Sequence, residues 1–190
     1  EPMNPEEKLL LFNALVGVGF REIEVGFPSA SDTEFETVRM LIEEGHIPDN
    51  VTIQVIVAAR EALIERTFKA IRGAKNVILH FYNPTSALQR KVVFHRDMAG
   101  VIEMAVDAAR QIRELAGSAD SPSRLRFEYS PESFTATEPD NAVEICRRVM
   151  EVLGPTAENP MILDLPATVE NCPPNGYADR IEYFVSHLPG

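Results

Sequence analysis

Cysteine is scarce in this sequence, and what there is lacks metal-binding spacing. The 190 residues hold two, Cys146 and Cys172, with no CxxC between them. That removes thiolate zinc sites and the disulfide frameworks of small secreted domains, and it fits a reduced cytosolic protein. A membrane-spanning run is also missing, since no apolar stretch approaches the roughly 20 residues that a bilayer requires. So is a basic cluster: Lys and Arg number 18 against 29 Asp and Glu, a formal net charge of -11. Neither nucleic acid nor an anionic membrane surface suits that balance, which serves solubility. The dinucleotide fingerprint is absent, because Gly17-Val18-Gly19 precedes a strand pattern instead of following one, and there is no P-loop. No secretory leader opens the chain. It begins Glu1-Pro2 and stops at Leu188-Pro189-Gly190, straight after a helical pattern, as a segment of a longer polypeptide would.

What is present is the material of a globular domain, or a large piece of one: 45% hydrophobic and 25% charged residues. Short β-rich runs alternate with longer helical patterns. Residues 5–18 predict a helix with Pro5 in its first turn and Gly17 or Gly19 at its end. A strand follows over 22–27. Ser31-Asp32-Thr33-Glu34 has the capping-box spacing and opens a helix ending near Gly45. Further strands are predicted over 51–57, 77–81, 125–130 and 161–165. Helices are predicted over 61–71, through Ala116, over 141–153 and over 177–187. Cys146 stands among Ile145, Val149 and Met150 at helical spacing and belongs to the core, while Cys172 lies in an inert Cys-Pro-Pro loop. Continuous apolar strands alternating with helices predict a parallel α/β fold with both sheet faces covered. A doubly wound sheet and a (β/α)8 barrel both satisfy that pattern.

In either architecture ligands bind at the carboxyl ends of the strands. Those ends carry Glu24; Arg60; His80 with Tyr82 and Asn83; Glu128, Ser130 and Glu132; and Asp164 with Thr168. Each has a plain alternative. His80 suits a core histidine bonded to backbone, Ser130 a turn cap, and Glu132 a helix N-terminus. Thr168 suits an N-cap, and Arg60 a solvated helix start. Their convergence on one end of a sheet argues for a shared site, without naming its chemistry.

Five stretches supply a name for it: GFREIEVGFPSASDTEFETVR, IPDNVTIQV, HFYNPTSALQRKVVF, RFEYSPESFTATE and LDLPATVENCPPNGYADRIEY. In order and at consistent spacing over nearly the whole chain, they resemble the 2-isopropylmalate synthase family. These are metal-dependent (β/α)8 enzymes, in a superfamily with homocitrate synthase and HMG-CoA lyase. The resemblance implies a partial TIM barrel over residues 1–190, about five of eight strands, without the first strand, the last strands and the C-terminal regulatory domain. It implies an acyltransferase that condenses acetyl-CoA with 2-oxoisovalerate, the first committed step of leucine biosynthesis, in a cytoplasmic homodimer. By motif, Glu132 is carried over as catalytic, in acid/base work. His80, Ser130, Thr168 and Glu24 are carried over as substrate-binding, with Ser130 and Thr168 on the oxo-acid carboxylate, and Arg60 is a weaker match. The family's divalent metal, Mg²⁺ or Mn²⁺ with Zn²⁺ as a third candidate, is held through Arg-Asp-Gly, His-x-His and a later Asn. None of these occurs in residues 1–190, so no metal ligand is expected in this chain and the segment alone is expected to be inactive. Homocitrate synthase and citramalate synthase are the alternatives within the superfamily, and Glu128 favours a substrate with an apolar tail over a dicarboxylate. A non-catalytic structural segment is the alternative from another class.

Overall fold

The first helix, α1 (Pro5–Val18), begins where residue chemistry demands it. The Asn4 side chain accepts from the Glu7 N–H at 2.9 Å, and the Glu7 carboxylate accepts from the Asn4 N–H at 3.0 Å. This is a capping box ahead of Pro5. Of the two glycines at the far end, Gly19 terminates the helix, in the left-handed region at φ 114. The computed structural model describes residues 3–188. Glu1, Pro2, Pro189 and Gly190, on which the expectation of a segment partly rests, lie outside the described residues.

Strands and helices then alternate: β1 (Glu22–Gly26), α2 (Asp32–Glu43), β2 (Thr52–Ala58), α3 (Glu61–Ile71), β3 (Asn76–Pro84), α4 (Ala87–Gln89), α5 (Met98–Ala116), β4 (Arg124–Glu132), α6 (Pro139–Leu153), β5 (Ile162–Leu163) and α7 (Pro174–His187). The strand order is β1-β2-β3-β4-β5, that of the sequence, and the β1–β2 and β4–β5 pairs are parallel. Alternating β/α units on a five-stranded parallel sheet are what the pattern predicts, and they are consistent with part of a (β/α)8 barrel. Among the described residues no helix is long and apolar enough to cross a membrane.

The chain divides into two compact units. One comprises Glu1–His80 and Gln111–Phe127. Its core is built from Val38 and Leu41 of α2, Ile53, Val55 and Val57 of β2, and Ile64 and Ile71 of α3, each at most 2% exposed. Burying side chains of this size stabilises by about 1.5–3 kcal/mol apiece. β2 differs from expectation: Thr52, Gln54 and Ile56 alternate with the buried residues and are only half-buried, so one face is less covered than the other. The capping box at Ser31 is also half made. Ser31 accepts from the Glu34 N–H at 3.2 Å, but the Glu34 carboxylate turns to the Lys8 ammonium and the Phe27 N–H instead. A nearby cation competes better for a carboxylate than a neutral backbone donor does.

The other unit comprises Phe81–Arg110 and Glu128–Gly190. α6 buries Ala142, Ile145, Cys146, Val149 and Leu153, a stripe at helical spacing, and packs on α7. Phe134 presents its ring edge-on to Phe184 at 5.8 Å. Two strand boundaries depart from the sequence pattern. β4 runs on through Pro131, so the proline does not make the turn; the turn falls at Ser133, at φ 62. The pairing there uses the Glu132 carbonyl, which accepts from the Thr85 N–H at 3.0 Å, and asks no donor of Pro131. β5 has two residues where 161–165 predicts five. Pro160 and Pro166 bracket it, and neither can donate to a ladder.

Candidate functional site

In the first unit, β1 and β2 pair with Glu24 opposite Gln54, which puts both side chains on one face of the sheet. Gln54 Nε2 donates to Glu24 Oε2 at 3.1 Å, and His80 Nδ1 lies 3.5 Å from the same carboxylate oxygen. His80 is buried and Glu24 is half-exposed. The hydrogen bond from His80, assisted by Gln54, holds the Glu24 carboxyl below its ordinary range against the opposing effect of burial. His80 is therefore more than a core histidine bonded to backbone. Gln54 was not among the residues drawn from the sequence, though a lone glutamine inside VTIQVIV was the available signal.

In the second unit, the end of β4 is rigidly based. Tyr129 is fully buried, its ring lies 4.9 Å from that of Phe81, and its hydroxyl donates to Asn83 Oδ1 at 2.7 Å. Burial pushes its phenol well above the usual range. Beyond it, Ser130 Oγ donates to Asp164 Oδ2 at 2.7 Å, joining β4 to the residue after β5. Thr168 Oγ1 accepts from the Ser133 N–H at 3.1 Å, so Thr168 braces the turn after Glu132 and is not an N-cap: α7 starts six residues later, at Pro174. The Glu132 carboxylate is half-buried and takes no hydrogen bond among the described residues. Burial raises its pKa above the ordinary value.

The structure thus joins Glu24 to His80, and ties Ser130 to Asp164 and Thr168 to the turn at Glu132. Arg60 is not drawn in; it is exposed at the N-cap position of α3 and makes no side-chain capping bond, which suits a solvated helix start. Glu128 is buried. His80 carries an imidazole donor in the first unit, and Glu128 and Asp164 carry carboxylate donors in the second. Two threonines, Thr85 and Thr137, also belong to the surroundings of Glu132, and nothing in their sequence context marked them. A strand end with a half-buried, uncompensated carboxylate beside fixed hydroxyls is equipped to move a proton on a bound, oriented molecule.

Comparison with known proteins is specific. The family model for HMGL-like proteins matches residues 1–190. A 2-isopropylmalate synthase of Rhodospirillum rubrum is 56% identical over 189 residues, covering 100% of this chain and 34% of that protein. A 2-isopropylmalate synthase of Corynebacterium glutamicum is 57% identical over 189 residues, covering 99% of this chain and 30% of that protein. A third, from Azotobacter vinelandii, is 54% identical over 188 residues, covering 99% and 34%. The chain therefore spans about a third of the length of the curated relatives it matches.

Proposed function

The chain belongs to the HMGL-like family, and on that footing we propose that it is part of the catalytic barrel of a 2-isopropylmalate synthase. In the cytoplasm and as a homodimer, the parent polypeptide would bond the methyl carbon of acetyl-CoA to the ketone carbon of 2-oxoisovalerate. Water would then cleave the thioester and free CoA. The observation that carries this reading is identity above 50% to proteins of that name along essentially the whole chain. The half-buried, unpaired Glu132 carboxylate supports it from the side of chemistry.

The reaction needs a base for the weakly acidic methyl group of the thioester, and groups that fix the 2-oxo acid with its ketone exposed to the resulting carbanion. Glu132 is assigned the proton transfer: burial raises its proton affinity toward the range where a carboxylate is a useful base. Thr168 is assigned the 2-oxo-acid carboxylate, and Ser130 joins it when its hydrogen turns from Asp164 to the substrate. Thr168 spends a lone pair on the Ser133 N–H and keeps its hydroxyl hydrogen for a substrate oxygen. His80, oriented by Glu24 and Gln54, is assigned a substrate oxygen as well. The divalent ion that the resemblance implies, Mg²⁺, Mn²⁺ or Zn²⁺, would be held through the Arg-Asp-Gly, His-x-His and Asn of the parent polypeptide. When bound, that ion supplies the Lewis acidity that polarises the ketone.

The test is release of free CoA thiol by the full-length parent with 2-oxoisovalerate, and with 2-oxoglutarate and pyruvate as competing acceptors. Preference for 2-oxoisovalerate is the expected result. Preference for 2-oxoglutarate or pyruvate would transfer the assignment to homocitrate or citramalate synthesis. Glu132→Gln should lower kcat by about 10²–10⁴-fold, and an active Glu132→Gln enzyme would remove that residue from its role.

A further inference from the structure

Among the described residues no side chain bonds the Glu132 carboxylate, so its direction is set from the backbone. That backbone is unusually well held. The Glu132 carbonyl sits 3.0 Å from both the N–H and the Oγ1 of Thr85. Thr85 Oγ1 lies 2.7 Å from Thr137 Oγ1, and Thr137 Oγ1 donates to the Ser133 carbonyl at 3.0 Å. Both threonines are fully buried, at 0% and 1% exposure. Each hydroxyl has one hydrogen, so two hydrogens serve three contacts. Two chains each satisfy two of the three: Thr85 to Thr137 to the Ser133 carbonyl, or Thr137 to Thr85 to the Glu132 carbonyl. In either, the Thr85 N–H keeps the Glu132 carbonyl, and the hydroxyl pair adds a bond to one of the two carbonyls, Ser133 in the first and Glu132 in the second.

The residue after Glu132 explains why a clamp is needed. Ser133 is in the left-handed region, at φ 62, without being glycine. A conformation of that kind persists only when its surroundings over-determine it. The Ser133 N–H is fixed on Thr168 Oγ1 at 3.1 Å, and its carbonyl on Thr137. Arg180 Nη1 in turn donates to the Thr137 carbonyl at 3.0 Å and anchors the far side.

We propose that Thr85 and Thr137 are positioning residues for Glu132, holding the strained turn that directs its carboxylate. This rests on the assignment of Glu132 to proton transfer, and the experiment separates the two. In the full-length enzyme, Thr85→Val replaces the hydroxyl with a methyl group of similar volume. It should lower kcat about tenfold, because sub-ångström misplacement of a reacting group is costly, while KM for the 2-oxo acid changes less than twofold. Thr85→Ser should restore kcat to within about twofold of the original, since the hydroxyl returns. The decisive readout is the double variant: adding Thr85→Val to Glu132→Gln should cost no further kcat, because Thr85 acts through the carboxylate. A multiplicative loss in the double variant, or an unchanged kcat in Thr85→Val, would overturn the proposal and leave the threonines a purely structural pair. If Thr85→Val does not fold, Thr137→Val carries the same three expectations from the other hydroxyl. Should Glu132→Gln itself keep full kcat, it is the assignment of Glu132 that fails.

Discussion

Glu24 and Glu132 are both strand-end carboxylates, and their surroundings push them in opposite directions. Hydrogen bonds from His80 and Gln54 hold Glu24 below the ordinary 4.5, and burial without a partner lifts Glu132 above it. Carboxylates pushed apart in this way suit different work, one as a base and the other as a fixed anion. The consequences for stability follow with opposite signs. For Glu24, the depressed folded value means a contribution that is complete above the unfolded value and is lost as pH falls through the folded one. For Glu132, the raised value means a cost that is absent in acid, grows as pH rises through the unfolded value, and is complete above the folded one. Glu24→Gln should therefore lower the urea midpoint at pH 7, by an amount that shrinks as the pH falls through the folded value. Glu132→Gln should raise the midpoint at pH 7 and do nothing at pH 3. Both effects should be small, because both side chains are partly in solvent and are screened. A loss of stability from Glu132→Gln at pH 7 would mean that the carboxylate has a partner after all. At this scale the sequence exposed what strand ends display, from Glu24 and His80 to Ser130, Glu132 and Thr168. It could not expose Thr85 and Thr137, because a buried hydroxyl serving a carbonyl has no periodicity and no spacing of its own.

Among the elements, β1 and α2 show how one glycine can decide a junction. Gly26 closes β1 at φ 147, next to a register shift in the β1–β2 ladder, and a Cβ there would overlap the Glu34 carboxylate. That carboxylate also receives the Phe27 N–H and the Lys8 ammonium, so it cannot simply swing aside. Gly45, at φ 71 after α2, has nothing near its absent Cβ. Gly45→Ala should cost about 1 kcal/mol for backbone strain alone, and Gly26→Ala about 2 kcal/mol or more for strain plus overlap. Equal urea midpoints for the two variants would show that the Glu34 contact is soft. α6 makes a matching prediction with a chemical readout. Cys146 is fully buried and its thiol is pushed far above the usual range, whereas Cys172 is partly exposed. Under native conditions a thiol reagent should label Cys172 and spare Cys146 until the protein is unfolded. Most helix ends were legible, because caps such as Gly19 act locally, though α6 and α7 begin at Pro139 and Pro174, ahead of the expected 141 and 177. Strand lengths were not. β5 is two residues long, and β4 is extended past Pro131 by Thr85, a partner 47 residues away. Strand ends depend on such partners, and propensity alone does not reveal them.

For the whole molecule, the alternation of patterns was enough to predict a parallel α/β fold, whereas a sheet ordered as the sequence is follows from the barrel, because a doubly wound sheet reverses its order. The choice of a barrel over a doubly wound sheet came from the family resemblance alone, since five strands suit both. What the strand order adds is a difference in exposure. β2 has a neighbour on each side, whereas β1 and β5 are end strands among the described residues, with one side of the ladder unpaired. Beside β1 lies a cavity of about 280 Å³ walled in part by Leu11, Phe12, Leu15 and Ile23. On α1, Leu10 and Val18 are 70% and 77% exposed. A run of apolar surface next to an unpaired strand is a template for association unless something covers it. Residues 1–190 produced alone should therefore bind a hydrophobic dye and self-associate with rising concentration. Amide exchange should be fast in β1 and β5 and slow in β2, because exchange follows local opening and an end strand opens at lower cost. In the full-length parent, the β1 amides should slow toward those of β2, and dye binding should fall. A dispersed, monomeric segment with β1 as protected as β2 would show that these residues cover their own edge, and the apolar surface of α1 would then need another explanation.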